Sequence, residues 1–280
     1  SRRLLEEGEE RTSRFVVGSF WLLGLLNNSS YVIMIASAKS IANGGVALVY
    51  LAGIGPGVCV KSSSPFWFDM VGYRTRLGLA TSCMAASFAL VGFGSSLYAQ
   101  LAGVALCSAQ SAMGEASLLA LSSRYPRRGA DAVAAWSSGT GFAGVFGYAW
   151  VVAFGATLGD IGTQAVALAV LPPAFAVAAF SLAAADLKKD TPVRVALSSS
   201  QRVRFGLSLW PVTGAIFAVY FAEYAMQSGV WAAMGFPVHS KSARDSFYEL
   251  ANWLYQAGVL CSRSSGWLLS HLSRRTLWAC

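Results

Sequence analysis

The sequence predicts an all-α, polytopic membrane protein, on three observations. With acidic and basic residues set aside, the chain falls into long uncharged stretches at 15–38, 40–60, 77–114, 132–159 and 161–185. Charged residues are 12% of the chain and apolar residues 55%. An average soluble domain has about 25% charged residues, so globular packing would leave too little polar surface to face water. Finally, the basic residues gather in alternate connections between the stretches, which is how loops on the cytosolic side of a bilayer are marked.

A spanning helix needs about 20 apolar residues, because at ~1.5 Å rise per residue a shorter one strands backbone polar groups in hydrocarbon. The first two spans are expected at 15–36 and 44–60. The stretch at 77–114 holds two, at 77–95 and 98–121, divided by the turn Gly94-Ser95-Ser96. Spans at 133–156 and 162–185 follow, separated by Asp160, and two more are expected at 206–231 and 246–266. The resulting organisation is a cytosolic N-terminal segment at 1–14, a six-helix half at 15–185, a cytosolic linker at 186–205 and the start of a second helical half at 206–280. The chain begins with Ser1 and stops at Leu277-Trp278-Ala279-Cys280, where a ninth span would start after Arg274-Arg275, and is expected to be a truncated fragment.

The net charge of +8 raises the question of nucleic acid, and its distribution answers it. On one side lie Arg2, Arg3, Arg11 and Arg14; Lys61, Arg74 and Arg76; Arg124, Arg127 and Arg128; Lys188, Lys189, Arg194, Arg202 and Arg204; and Arg274 and Arg275. The other side has Lys39, Lys241 and Arg244, while Arg263 falls within the eighth span. Seventeen against three places the N-terminus in the cytosol. An anionic leaflet accounts for the excess without nucleic acid. The five cysteines are scattered and form no disulfide framework or paired ligand set. His239 and His271 are too isolated for a metal site. No cofactor, metal or catalytic residue is expected, and no hydrolytic or redox constellation points to an enzyme.

Some motifs are better read as packing. Gly139-Thr140-Gly141-Phe142-Ala143-Gly144 fits the dinucleotide pattern GxGxxG, but that fingerprint needs a preceding strand, and here it lies in a span. Gly141, Gly144 and Gly147 instead allow a neighbouring helix to approach. Gly53-Ile54-Gly55-Pro56-Gly57 before Lys61-Ser62 suggests a phosphate loop at the wrong spacing, and a proline-broken helix end explains it better. The overlapping sequons in Asn27-Asn28-Ser29-Ser30 lie inside the first span, beyond the reach of glycosylation.

Polar residues within the spans carry the functional signal. Ser108, Ser111, Glu115 and Ser122 recur at spacings of three, four and seven, which return to one helical face. Glu249, Asn252, Gln256 and Arg263 repeat the same spacing in the eighth span. Two such stripes argue for a water-accessible cavity. The seventh span adds Glu223 beside Tyr220, Tyr224 and Gln227, and the first adds Asn27, Asn28 and Tyr31. A charge at span depth costs at least ~2.5 kcal/mol on insertion scales, so such groups face a bundle interior and mark substrate or proton paths. The bland alternative is that each bonds to a neighbouring helix, with Arg263 snorkelling from near a span end. The candidate solute or proton path comprises Asn27, Asn28, Glu115, Glu223, Gln256 and Arg263.

Six closely spaced helices, a cytosolic connection and a second set is the layout of transporters built from two six-helix halves. Asp69-x-x-Gly72-x-Arg74 resembles the loop between helices 2 and 3 of major facilitator transporters, in which helices 1, 4 and 7 line the cavity. Those are the spans that carry Asn27/Asn28, Glu115 and Glu223.

More specifically, Trp21-Leu-Leu-Gly-Leu-Leu-Asn-Asn-Ser-Ser-Tyr31, Gly114-Glu115, Tyr125-Pro126, Trp136-Ser-Ser-Gly-Thr-Gly141, Val219-Tyr-Phe-Ala-Glu-Tyr224, Tyr255-Gln-Ala-Gly-Val259 and Ser262-Arg-Ser-Ser265 together resemble the battenin family. The resemblance runs in order from the first span to the eighth. It implies a major facilitator-like helical bundle of about eleven spans, of which about eight are here, in a lysosomal or vacuolar membrane. It also implies roles in lumenal pH homeostasis and in export of small polar metabolites, glycerophosphodiesters or basic amino acids. Glu223 and Arg263 are the residues it singles out. The chain departs from the pattern in a short first lumenal loop at 39–43 without glycosylation sites and in a Leu4-Leu5 pair that follows Arg2-Arg3 rather than acidic residues, and as a fragment it is expected to lack the last three helices.

Two functions follow. One is a secondary transporter whose partners are the lipid bilayer, a small polar or anionic solute and protons. The other is a non-transporting membrane scaffold that regulates vesicle trafficking or proton-pump activity. Polar stripes favour the first, because a scaffold has no need of a wet interior.

Overall fold

Every described residue that sits in regular structure is helical, which is what a bilayer demands of a chain with no closed barrel. The structure, a computed structural model, describes residues 2–41, 46–125, 129–186, 197–226 and 240–265. Its helices are α1 Arg2–Ala36, α2 Ala38–Ile41, α3 Val46–Trp67, α4 Tyr73–Phe93, α5 Leu97–Ser122, α6 Gly129–Asp186, α7 Ser199–Ser208, α8 Trp210–Tyr224 and α9 Lys241–Ser264. Among the described residues, Arg14–Ala36, Tyr73–Phe93, Leu97–Ser122 and Ala130–Leu182 are long and apolar enough to cross a membrane.

The chain divides into two compact units, Ser1–Pro192 with Gly258–Cys280, and Val193–Ala257. In the first, α1 packs along α6, α4 against α5 and α6, and α3 against α5. Phe20, Leu23, Ile33, Met34, Leu77, Met84, Phe88, Leu118, Phe175 and Leu182 are fully buried between these helices. Leu51, Ile54, Val58, Phe93 and Val177 point outward, an apolar exterior that suits lipid rather than water. Glycine sets the closest approach. A Cβ on Gly24 would stand 2.5 Å from the Trp136 carbonyl oxygen, and one on Gly139 would overlap the Trp21 carbonyl oxygen outright. A Cβ on Gly147 would come within 2.8 Å of the Val32 side chain at Cγ1, and 3.4 Å of the Ser29 carbonyl oxygen. Between helices that gain little from hydrophobicity inside lipid, such backbone contact is what association rests on.

The 53-residue apolar run of α6 would be ~80 Å long if straight, more than twice the ~30 Å hydrocarbon core. It is broken at Gly159, where φ is 68° and ψ is −174°, a conformation in which a side chain is strained. Trp150 Nε1 donates to the Thr163 carbonyl at 3.3 Å, although thirteen residues of straight helix would separate the two by ~20 Å. The chain therefore doubles back, giving the two passes expected at 133–156 and 162–185.

Other boundaries differ from the sequence reading. Helix α3 does not stop at residue 60 but continues through Lys61 and Ser62-Ser63-Ser64 to Trp67, with the Ser63 and Ser64 hydroxyls bonding back to the carbonyls of Val60 and Lys61. The ladder opened by Pro56 is repaired from outside, Gly57 N–H donating to Ser108 Oγ at 2.9 Å. The single span expected at 206–231 is instead a bent pair, α7 and α8, meeting at 63°. Pro211, in the first turn of α8, removes a backbone donor and stops α7 from continuing straight. Helix α7 starts inside the expected linker, capped reciprocally by Ser198 and Gln201. Residues 187–196 of that linker and 227–231 of that span lie outside the described residues.

Candidate functional site

A buried polar seam runs between α1, α5 and α6. Asn27 is 2% exposed and gives both ends of its amide to α5, Nδ2 donating to the Ser111 carbonyl at 3.0 Å and Oδ1 accepting from Gln110 Nε2 at 2.9 Å. Ser30 Oγ closes the set by donating to Gln110 Oε1 at 2.9 Å. Gly114 makes room for this, since a Cβ there would come within 3.0 Å of Asn27 Cγ and overlap its Oδ1. Fully paired in this way, a polar network can sit inside a bundle without the cost of an unmet donor or acceptor. Asn27 thus clamps α1 to α5.

Asn28, one residue on, turns to α6. Its Nδ2 donates to the Thr140 carbonyl at 3.1 Å. The Thr140 hydroxyl donates to the Ser137 carbonyl at 2.8 Å and accepts from Arg263 Nη1 at 2.9 Å. Asn28 and Arg263, remote in sequence, therefore meet on one residue. Ser138 extends the group, lying 3.0 Å from Ser264 Oγ and accepting from Trp21 Nε1 at 3.3 Å. Arg263 is half-buried and, among the described residues, has no carboxylate within ion-pair distance. Its stem lies against α6, because a Cβ on Gly141 would stand 3.0 Å from Arg263 Cβ.

The stripe on α5 has partners of its own. Ser108 receives the Gly57 amide and Ser122 bonds back to the Leu119 carbonyl, while Glu115 pairs with Lys61 of α3 at 2.9 Å. Ser108 and Glu115 thus face α3, while Ser122 bonds within its own helix. With Lys61 52% and Glu115 37% exposed, that pair contributes under ~1 kcal/mol.

In the second unit, Glu223 of α8 accepts a hydrogen bond from the Tyr255 hydroxyl of α9. Gln256 is half-buried, two turns before Arg263 on the same helix. The side chains of Glu249 and Asn252, and both histidines, lie outside those described. Among the described residues no group of three His, Cys, Asp or Glu is placed to hold a metal, and Cys59, Cys83, Cys107 and Cys261 are free thiols.

Thr140, Gln110, Ser138 and Ser264 were not singled out from the sequence. Thr140 and Ser138 do fall within the Trp136–Gly141 block, which was legible as a block but not as a set of partners. Lys61 was expected in a loop, and only the extra turns of α3 bring it to Glu115.

Fold and site together define a polytopic helical membrane protein with a basic residue and hydroxyl groups gathered inside its bundle. The family model described as CLN3 protein matches residues 18–204 and 202–279. Battenin of Canis lupus familiaris is 30% identical, over 94% of this chain and 75% of its own length. Protein BTN1 of Yarrowia lipolytica is 29% identical, over 90% of this chain and 70% of its own length. For Protein BTN1 of Saccharomyces cerevisiae the figures are 29%, 89% and 71%. No solved structure matches. The chain belongs to the CLN3 protein family.

Proposed function

We propose that this is a multi-pass transporter of a lysosomal or vacuolar membrane, which moves a small polar or anionic metabolite from the lumen to the cytosol and so contributes to lumenal pH homeostasis. Glycerophosphodiesters and basic amino acids are the candidate solutes. The observation that carries the reading is Arg263, a permanent cation inside the bundle whose described partner is the neutral hydroxyl of Thr140. An interior cation with no carboxylate among its described partners is expensive as mere packing and suited to an anionic solute. Glu223, bonded to Tyr255, is the candidate proton carrier of a major facilitator-like bundle. The protein acts as a carrier and not as an enzyme, without nucleic acid as a partner.

The test is uptake by the purified full chain in liposomes under an acid-outside gradient, the bath standing for the lumen, offered a labelled glycerophosphodiester or a basic amino acid. Gradient-dependent movement supports the proposal. A protein that moves neither, yet rescues a strain deleted for its own gene, would favour the scaffold.

The basic asymmetry supports a cytosolic N-terminus. A cysteine replacing Ser240, which is exposed, is then expected to react with an impermeant thiol reagent only from the lumenal side of sealed vesicles. Labelling from the cytosolic side would reverse the orientation.

A further inference from the structure

We infer that Thr140 is the positioning residue of the anion site: its hydroxyl fixes one N–H of Arg263 and so aims the remaining donors at the solute. The inference rests on the transport reading above. Arg263 has a long stem near the C-terminal end of α9, where an unrestrained arginine swings toward the nearest polar interface. Here Nη1 is held 2.9 Å from Thr140 Oγ1. The hydroxyl hydrogen is already committed to the Ser137 carbonyl at 2.8 Å, so the oxygen presents lone pairs to the guanidinium and can only accept from it. Asn28 holds the Thr140 carbonyl at 3.1 Å, tying the peptide to α1. Close packing at Gly141 then leaves the base of the arginine stem little room to shift.

The chemistry of the partner matters as much as its place. A carboxylate would fix the guanidinium equally well but neutralise it. A hydroxyl fixes it and leaves the charge in place, and among the described residues most of its five donors are unspent in a planar fork that suits phosphate oxygens. Thr140 therefore bears on how tightly the solute is held, while carrying no charge of its own.

The full chain carrying Thr140→Val or Thr140→Ser, reconstituted in liposomes, tests this with a labelled glycerophosphodiester. Valine keeps the β-branch and the backbone carbonyl that Asn28 holds. It is expected to raise KM about ten-fold with little change in kcat, and serine to restore the original KM. In an Arg263→Lys background, Thr140→Val should add nothing further, since the fork it positions is gone. An unchanged KM, or effects that simply multiply, would overturn the inference. Phenylglyoxal modification of Arg263, followed by mass spectrometry, reads the same positioning without transport. It should run several-fold faster in Thr140→Val and at the original rate in Thr140→Ser. Equal rates in all three proteins would sink the inference, whereas a wild-type protein that moves no phosphodiester would sink only the transport reading.

Discussion

Arg263→Ala is expected to reduce phosphodiester uptake by two orders of magnitude or more, with the protein still reaching its membrane. Arg263→Lys should fall between the two, about ten-fold below wild type. The ordering follows from donor geometry: lysine keeps the charge but offers a point ammonium where arginine offers a rigid fork, and alanine offers neither. Neither change should disturb the fold. The contact at Gly141 is made by Arg263 Cβ, which both variants retain, and Thr140 keeps its bond to the Ser137 carbonyl. Removing an interior charge also eases insertion. Loss of protein from the membrane in Arg263→Ala, measured alongside uptake, would instead make the arginine a structural residue.

Gly139→Ala is expected to be the most damaging single methyl group in the first unit. The added carbon would lie 2.9 Å from the Trp21 carbonyl carbon and 3.0 Å from the Leu25 amide nitrogen, so it presses on main chain in the middle of α1. Backbone cannot rotate away as a side chain can. Relief requires α1 and α6 to separate, which loosens the Gly24 contact and the Asn28–Thr140 bond together. Overpacking of this kind costs ~1 to 3 kcal/mol, and a fall in the unfolding midpoint of the detergent-solubilised protein measures it. Gly114→Ala is the internal comparison. There the obstacle is the Asn27 amide, which can turn aside, so the loss should be smaller and come mainly from the broken Gln110 bond. Equal stability of Gly139→Ala and wild type would mean that α1 and α6 do not pack this closely.

The spans were legible because each apolar stretch must satisfy its backbone internally, and that constraint leaves a mark in length and composition alone. The doubled α6 was legible through Asp160, which interrupts the apolar run one residue after the turn. Helix ends were less so. Nothing in Lys61-Ser62-Ser63-Ser64 says whether a helix stops where the apolar layer does, and α3 does not. The bend between α7 and α8 could have been found at Pro211, but apolar composition on its far side outweighed it. For the site, position within an apolar span singled out Asn28 and Arg263 but could not say that they share Thr140, because a partner 112 or 123 residues away leaves no periodicity behind. The α5 stripe is limited in the same way. Periodicity reports that residues share a face, not whether that face meets water or another helix.

The turn at Gly159 bears on survival as well as on shape. Proteolysis begins where a loop tip can be drawn out and gripped, and this connection folds back within a few residues, with Trp150 already bonded to Thr163 across it. In the proposed lysosomal or vacuolar placement with a cytosolic N-terminus, this turn faces the lumen, and a protein there gains from having little chain to offer. Lengthening the turn by a short glycine-serine insert should leave both passes in the bilayer and yet open a cleavage site between them, turning one glycine's backbone angle into a difference in lifetime.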